Sequence, residues 1–197
     1  MSDKGTQIIV VYGFLGSGKT TLMMELAKGI VASGNKVAVV VNEAGKVPID
    51  GKLIRVAGIP VKEIFAGCIC CSIVGDFIST LNALMEDAEL AYILVEPSGM
   101  ADAPRLFKSI EKYAGMLGKK VLVLDGARLP VLVKAAGPLI TGQVQTADII
   151  LLNKMDAVRN ENLGELDSLL KILPHSAPVY RISARKGIPD LLLKEVF

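Results

Sequence analysis

Tryptophan is absent from this sequence, histidine occurs once, and cysteine occurs three times, always within one tetrapeptide. Cysteines this close together cannot link distant parts of a chain, so a disulfide framework is excluded. The formal net charge of +2 gives no indication of a nucleic-acid or membrane partner. No apolar run approaches the ~20 residues that span a bilayer, and the short polar start leaves no room for a cleavable signal peptide. We therefore expect a cytoplasmic protein.

Short runs of valine, isoleucine and leucine recur along the chain, and hydrophobic residues make up 51% of it. Continuous apolar runs of this length are typical of parallel strands that are buried on both faces. We predict one α/β domain over residues 1–197, with a mostly parallel central sheet and helices on both faces. The predicted strands are residues 8–12, 37–41, 54–57, 61–65, 91–95, 121–124, 148–152 and 178–182. The predicted helices are residues 21–32, 72–87, 104–114, 129–136, 161–173 and 187–196, with a turn or short helix at 142–146.

A complete G-x-x-x-x-G-K-[ST] motif, the P-loop, occupies residues 13–20, between the first predicted strand and the first predicted helix. The glycines let the backbone curl with its N–H groups pointing inward, and the helix N-terminus adds a partial positive charge. We expect Lys19 to reach the β- and γ-phosphates of a nucleoside triphosphate and the Thr20 hydroxyl to ligate Mg²⁺. In this context the motif predicts the three-layer P-loop NTPase fold.

An acidic residue, Glu96, follows the strand predicted at 91–95, and Gly99 comes three residues later. A carboxylate at the tip of a buried strand can hold Mg²⁺ through water, and the backbone N–H of Gly99 can meet a γ-phosphate. We therefore predict that Lys19, Thr20 and Glu96 carry the hydrolysis of the nucleotide.

A second motif, N-K-M-D, follows a predicted strand well downstream of the P-loop. An aspartate carboxylate accepts hydrogen bonds from N1–H and from the N2 amino group of guanine, whereas adenine offers neither donor. We expect Asp156 to select guanine, while Asn153 and Lys154 brace the base and the P-loop. Ser183 and Ala184 follow the last strand, where a backbone N–H is expected to pack against guanine.

The three cysteines, Cys68, Cys70 and Cys71, precede a predicted helix. Thiols beside a helix N-terminus have lowered pKa values, which favours the thiolate that binds soft metals such as Zn²⁺, Cu(I), Ni or Co. Because two or three sulfurs do not complete a tetrahedral shell, a further ligand must come from Glu43, water, a second subunit or a client protein. The alternative is that the cysteines are small buried hydrophobic residues. An open coordination site favours a metal carrier, and we expect the lone His175 to be a solvated loop residue.

Together these motifs resemble the CobW-like proteins within the CobW/HypB/UreG group of P-loop GTPases. The matching stretches are residues 13–22, 42–45, 49–50, 67–72, 96–102, 124–125, 147–156 and 177–180, of which the Gly-Cys-x-Cys-Cys element is the most specific. The resemblance implies a GTPase that binds Zn²⁺, Co²⁺ or Ni²⁺ and delivers the metal to a client enzyme or a cobalamin pathway. The implied metal ligands are Cys70 and Cys71, with Cys68 as a third candidate. The implied GTP contacts are Gly16, Ser17, Gly18, Lys19, Thr20, Thr21, Asn153, Lys154 and Asp156.

Two departures from the family pattern affect these expectations. Val41 stands where family members often carry a glutamate that can ligate the metal, so that ligand is missing. Family members usually have a second, C-terminal domain, whereas this sequence covers the GTPase domain. We then expect client docking to fall to the GTPase domain itself, a dimer or a separate protein.

We predict a nucleotide-gated metal carrier, in which the GTP and GDP states hold the cysteine segment differently and so differ in metal affinity, with Zn²⁺ as the metal expected first. Intrinsic hydrolysis is expected to be slow, since no obvious glutamine follows Gly99 and the only candidate arginine fingers are Arg105 and Arg128. The expected partners are a client metalloenzyme or corrinoid-related protein and a nucleotide-dependent second copy of the chain. Two alternatives are a P-loop kinase for a small molecule, which predicts ATP preference, and a non-catalytic metal-binding module with a vestigial nucleotide site.

Overall fold

The computed structural model of the chain describes residues 5–41, 53–56, 59–63, 73–86, 89–97, 103–114 and 118–197. The strands are β1 (Gln7–Tyr12), β2 (Lys36–Val41), β3 (Leu53–Val56), β4 (Ile59–Glu63), β5 (Leu90–Glu96), β6 (Lys120–Asp125), β7 (Ile149–Asn153) and β8 (Val179–Arg181). The helices are α1 (Lys19–Ala32), α2 (Ile73–Met85), α3 (Ala103–Ala114), α4 (Leu129–Gln145), α5 (Leu163–Ile172) and α6 (Asp190–Val196).

These strands form one sheet in the order β3-β4-β2-β5-β1-β6-β7-β8. Neighbouring strands run parallel, except that β3 pairs antiparallel with β4 at one edge. Strand β1 lies centrally, between β5 and β6. The loop that follows β1 lies at the carboxyl edge of the sheet, where open α/β sheets bind ligands. The predicted α/β class and mostly parallel sheet are confirmed.

Helices cover both faces of the sheet and enclose a separate hydrophobic core on each side. One core contains residues of α2, α3, α4 and α5, and the other contains residues of α1 and α6. Along β1, Ile8 and Val10 belong to one core, while Ile9 and Val11 belong to the other. Side chains alternate between the two faces of a strand, so a strand that is buried on both faces has an unbroken apolar sequence.

Helix α4 is broken where its sequence predicts the end of a helix. The sequence predicts a helix at 129–136 and a separate turn or short helix at 142–146, and α4 consists of two helical stretches that meet at a kink at Ala136. Ala136 departs from helical geometry, with φ −142° and ψ 36°, and Pro138 lies two residues further on. Proline cannot donate the helical N–H and its ring presses on the preceding turn, so the helix breaks here. The second helical stretch begins earlier than predicted and runs to Gln145.

Helices α5 and α6 begin later than predicted. Helix α5 starts at Leu163, after a 3₁₀ turn at Asn160–Asn162, and α6 starts at Asp190. Gly187 has φ 94°, outside the helical region, so the chain enters a helix only beyond it. No helix within the described ranges is long and apolar enough to cross a membrane.

Candidate nucleotide-binding site

The P-loop connects β1 to α1 through turns that depend on glycine. Gly13, Gly16 and Gly18 have positive φ angles of 139°, 76° and 95°. A Cβ atom at Gly13 would lie 2.2 Å from the carbonyl oxygen of Val123, and one at Gly18 would lie 2.4 Å from the side-chain nitrogen of Asn153. Both backbone conformation and the close approach of neighbouring groups therefore exclude a side chain at Gly13 and Gly18.

The predicted hydrolytic residues, Lys19, Thr20 and Glu96, lie within contact of one another. Strand β5 pairs with β1 and so places Glu96 beside the P-loop. The Thr20 hydroxyl donates to Glu96 Oε2 at 2.8 Å, and Lys19 Nζ lies 3.8 Å from Glu96 Oε1. Lys19 and Glu96 are only 5% and 6% exposed, so the two opposite charges are buried together. Removing either partner of such a pair leaves an uncompensated buried charge.

The same group of side chains fits Mg²⁺ and phosphate. A hydroxyl and a carboxylate oxygen are hard ligands of the kind that Mg²⁺ prefers, and Thr20 and Glu96 present both at one point. Lys19 Nζ also donates to the carbonyl oxygen of Phe14 at 3.3 Å, so the ammonium already lies against the P-loop. The donor set therefore suits a metal ion and an anion side by side.

Asn153 joins three segments with one side chain. Its amide nitrogen donates to the Ser17 carbonyl oxygen at 2.9 Å, and its amide oxygen accepts from the Ala184 backbone N–H at 2.9 Å. Asn153 is 3% exposed, so both hydrogen bonds are shielded from water. The sequence predicts that a backbone N–H of the Ser183-Ala184 pair packs against guanine, and this stays a prediction; the N–H of Ala184 donates to Asn153 in this structure. Ala184 therefore fixes the position of its turn.

Lys154 adopts the left-handed conformation, with φ 60°, alone among the non-glycine residues that the structure describes. Its Nζ donates to the Gly16 carbonyl oxygen at 2.5 Å and to Asp125 Oδ2 at 2.8 Å. A backbone conformation of this kind persists only where surrounding contacts hold it. Asn153 and Lys154 thus hold the P-loop through its Ser17 and Gly16 carbonyl groups, as the sequence predicts. The role of these two residues toward a base stays a prediction.

Asp156 is exposed, and its backbone N–H donates to Ser183 Oγ at 3.0 Å. A hydrogen bond from the Ser183 side chain holds the pKa of the Asp156 carboxyl below its usual value, and the nearby cations Lys186 and Arg185 lower this pKa further. At neutral pH the carboxylate is therefore ionised and accessible, as the acceptance of two guanine donors would require.

These groups line one cleft of about 560 Å³. Its lining residues are Leu15, Gly16, Gly18, Lys19, Thr20, Thr21, Glu96, Asn153, Lys154, Asp156, Ala157, Ala184 and Arg185. Ser17 is fully buried, and its Oγ has no hydrogen-bond partner among the residues that the structure describes. Most of the predicted nucleotide contacts thus share one cavity.

Two further residues belong to this region, although the sequence analysis assigned no site role to either of them. Arg185 lines the cleft directly after the Ser-Ala pair, a position that could have been read as an extension of that pair. Asp125 ends β6 and binds Lys154. An acidic residue at the carboxyl end of a strand is the signal that identified Glu96, and it applies equally to Asp125.

Several predicted ligands lie outside the described residues, namely Cys68, Cys70, Cys71, Glu43 and Gly99. In the part of the chain that the structure describes, no group of three or more His, Cys, Asp or Glu side chains is arranged to hold a metal ion. The predicted transition-metal site therefore stays a prediction from the sequence.

His175 lies in a loop, as predicted, but the structure corrects the expectation that it is solvated. Its side chain is half-buried, with Nδ1 3.0 Å from the carbonyl oxygen of Ala177 and Nε2 3.1 Å from that of Leu170. The ring connects the end of α5 to the segment before β8. This contact is structural, because both carbonyl groups belong to the backbone that turns between these two elements.

Proteins in which a P-loop follows a central strand of a parallel sheet form one class, the P-loop nucleotide-binding proteins, and this chain has that architecture. The sequence profile of the CobW/HypB/UreG nucleotide-binding domain matches residues 7–181. The chain belongs to this family, which confirms the resemblance inferred from its motifs.

Similar proteins agree with this assignment. The zinc chaperone CobW of Pseudomonas aeruginosa is 29% identical over 212 residues, covering 86% of this chain and 56% of the relative. The zinc chaperone YeiR of Escherichia coli is 32% identical over 161 residues, covering 80% and 49%. The crystal structure of the Zn(II)-bound YjiA GTPase from E. coli has a TM-score of 0.65 at 25% identity, covering 100% of this chain and 62% of that one. The chain thus spans about half the length of the curated relatives it matches.

Proposed function

We propose that this chain is the GTPase unit of a metallochaperone, which couples its nucleotide state to the binding and delivery of Zn²⁺. The observation that carries the proposal is the meeting of two groups of residues in one cleft. Lys19, Thr20 and Glu96 suit a triphosphate with Mg²⁺. The turn that contains Asn153 and Asp156 suits a guanine base.

At the phosphate end of the cleft, the bracing contacts orient the peptides of the P-loop. A trans peptide points its C=O and the following N–H in opposite directions. Because Asn153 holds the Ser17 carbonyl oxygen, the N–H of Gly18 in the same peptide points in the opposite direction, away from Asn153. Gly18 lines the cleft, so a phosphate oxygen there would accept a hydrogen bond from this N–H.

Lys19 would exchange its hydrogen bond to the Phe14 carbonyl oxygen for bonds to β- and γ-phosphate oxygens, which carry more negative charge. Thr20 and Glu96 would hold Mg²⁺, which neutralises charge on the phosphate oxygens when it is bound. The chain's own groups would thus place the terminal phosphate against Lys19.

Intrinsic hydrolysis is expected to be slow. Among the described residues that line the cleft, none is a glutamine able to orient an attacking water. Of the candidate arginine fingers, Arg128 donates to the Leu15 carbonyl oxygen at 3.5 Å, and Arg105 lies on α3 outside the cleft lining. A client protein or a second copy of the chain would then complete the catalytic site.

Guanine selection would rest on Asp156. Its ionised carboxylate can accept from both N1–H and the N2 amino group, whereas adenine would leave it without donors. Arg185 lines the same end of the cleft and supplies a planar cation beside the base. This arrangement favours a GTPase over the alternative of an ATP-dependent small-molecule kinase.

Zn²⁺ is the cargo that the similar proteins favour, because the zinc chaperones of P. aeruginosa and E. coli described above align with 86% and 80% of this chain. The proposed ligands are Cys70 and Cys71, with Cys68 and Glu43 as candidates for a third. Thiolates also bind Co²⁺ and Ni²⁺, so the cargo is proposed as Zn²⁺ first and these two metals second. Delivery would go to a client metalloenzyme or a cobalamin-pathway protein.

Zn²⁺ titrations in the presence of GDP and of a non-hydrolysable GTP analogue test the proposal. We expect the two Zn²⁺ affinities to differ by at least about fivefold, and Zn²⁺ to change the ratio of the GTP-analogue and GDP affinities by the same factor. Cys70→Ser and Cys71→Ser should abolish tight Zn²⁺ binding but leave GDP binding without Zn²⁺ unchanged. Equal Zn²⁺ affinities in both states would contradict the coupling, and equal ATP and GTP affinities would contradict the guanine assignment.

A further inference from the structure

Asp125 is a buried carboxylate beside the proposed nucleotide site, but it does not line the cleft. It is 2% exposed and is the last residue of β6. Strand β6 pairs with β7 so that Asp125 stands directly opposite Asn153. The register of two neighbouring strands therefore places this carboxylate next to the turn that would read the base.

Three donors reach the Asp125 carboxylate. The backbone N–H groups of Ala127 and Arg128 donate to Oδ1 at 3.1 and 3.2 Å. The ammonium of Lys154 donates to Oδ2 at 2.8 Å. One oxygen thus fixes the turn before α4, and the other fixes a cationic side chain.

Both cationic residues that Asp125 contacts also bind the P-loop. Lys154 Nζ donates to the Gly16 carbonyl oxygen at 2.5 Å, and the Arg128 guanidinium donates to the Leu15 carbonyl oxygen at 3.5 Å. Leu15 and Gly16 are consecutive residues, and both line the cleft. Asp125 is therefore connected to the loop that would hold the phosphates through a single intervening residue.

We propose that Asp125 is a positioning residue, which acts through Lys154 and Arg128 to fix the carbonyl groups of Leu15 and Gly16 and hence the shape of the P-loop. The proposal rests on the proposed nucleotide site. A lysine side chain loses much conformational entropy when it is ordered, so a second anchor is needed to keep it on one carbonyl oxygen. The Lys154 side chain is 39% exposed, and without the Asp125 anchor water would compete for its ammonium.

The variant Asp125→Asn tests the proposal because it keeps Oδ1 as an acceptor for the two backbone N–H groups. The amide nitrogen of the asparagine and the Lys154 ammonium are both hydrogen-bond donors, so they cannot bond to each other. The variant therefore loses the contact with Lys154 and keeps the contacts with the two backbone N–H groups. We expect affinity for GDP and for a GTP analogue to fall about tenfold, the size of one charge-assisted hydrogen bond. Asp148→Asn is the matched control, since Asp148 contacts Lys120 at the opposite end of β7, and it should bind nucleotide as the wild type does.

A double-mutant cycle separates positioning from a merely structural role. If Asp125 acts through Lys154, then Asp125→Asn should weaken GDP binding much less in a Lys154→Ala background than in the wild type. Additive losses would overturn the proposal, and so would a less thermostable Asp125→Asn variant that binds GDP like the wild type. A wild-type chain that binds no guanine nucleotide would instead refute the proposed function.

Hydrogen exchange in the absence of nucleotide gives a second measurement. The backbone amides of residues 15–18 should exchange faster in Asp125→Asn than in the wild type or in Asp148→Asn. If Asp125→Asn does not fold, Lys154→Met breaks the same pair from its exposed side and should show the same faster exchange. Exchange at the wild-type rate in these amides would overturn the proposal.

Discussion

The two ends of the cleft are built differently. At the proposed base end, Asn153 and Lys154 each donate a hydrogen bond to a backbone carbonyl of the P-loop, across 136 and 138 residues of sequence. At the proposed phosphate end, Lys19 and Thr20 both contact Glu96. The base end is thus held by contacts that a nucleotide need not disturb, whereas the phosphate end must exchange internal contacts for contacts with the ligand.

This difference separates the effects that substitutions should have. The charges of the phosphate end are buried, so a change there affects both the stability of the fold and the binding of nucleotide. The acid of the base end, Asp156, is exposed, so a change there should affect the choice of base and leave stability nearly intact. Substitutions at the two ends should therefore separate effects on stability from effects on the choice of base.

The largest effect is expected from Lys19→Met. Two or more charge-assisted contacts with phosphate would be lost, so GTP affinity should fall roughly 1,000-fold. The free energy of unfolding should also fall, by about 3 kcal/mol, because Glu96 would lose the ammonium that lies 3.8 Å from its carboxylate. Titration with a fluorescent GTP analogue and urea unfolding measure the two effects separately.

Lys36→Met is the control for the loss of a lysine. Lys36 pairs with Glu89, and its side chain is 61% exposed. An exposed pair of this kind contributes less than about 1 kcal/mol, so stability and GTP affinity should both stay close to the wild-type values. If Lys19→Met behaved like Lys36→Met, the phosphate end of the cleft would not be a nucleotide site.

The next largest effect is expected from Asp156→Asn, at the base end. The amide would present a donor to the donors of guanine, so GTP affinity should fall about 100-fold while affinity for XTP, which has a carbonyl oxygen at C2, should rise. Competition binding with GTP, XTP and ATP measures the preference. Asp190→Asn, in the first turn of α6, is the control and should leave the base preference unchanged.

The pH dependence of base selection sharpens the same test. The pKa of the Asp156 carboxyl is held below its ordinary value of 3.8, chiefly by the Ser183 hydrogen bond, so the ionised form persists as the pH falls until this lowered pKa is reached. Guanine preference should therefore be constant between about pH 5 and pH 8 and decline only below that window. A decline centred above about pH 5 would show that a different group selects the base.

The motif residues of both ends could be predicted from the sequence, because their chemistry depends on a local order of strand, loop and helix. Asp125 could not be placed in the same way. Its partner Lys154 lies 29 residues further along the chain, and the two meet because β6 and β7 pair in register. Long-range contacts of this kind depend on which strands become neighbours, and a single sequence does not state that order.

The kink in α4 shows the same limit within one helix. Pro138 normally predicts the end of a helix, since it removes a backbone hydrogen bond. Leu132 and Ile140, on either side of the kink, are both buried in the same core. Packing in one core therefore stabilises helical structure on both sides of the break, which local propensity alone does not indicate.

The smallest effect, and the only stabilising one, is expected from Ser17→Ala. Ser17 is fully buried, and within the described part of the chain its Oγ has no hydrogen-bond partner that would compensate for the loss of water. Removing the hydroxyl should raise the free energy of unfolding by about 1 kcal/mol, or Tm by about 3 °C. Ser33→Ala is the matched control, because the Ser33 hydroxyl donates to the Ile30 carbonyl oxygen at 2.7 Å and its loss should lower Tm. A lower Tm for Ser17→Ala would show that the P-loop hydroxyl has a hydrogen-bond partner. The proposed phosphate end would then also be held by a contact that a nucleotide need not disturb.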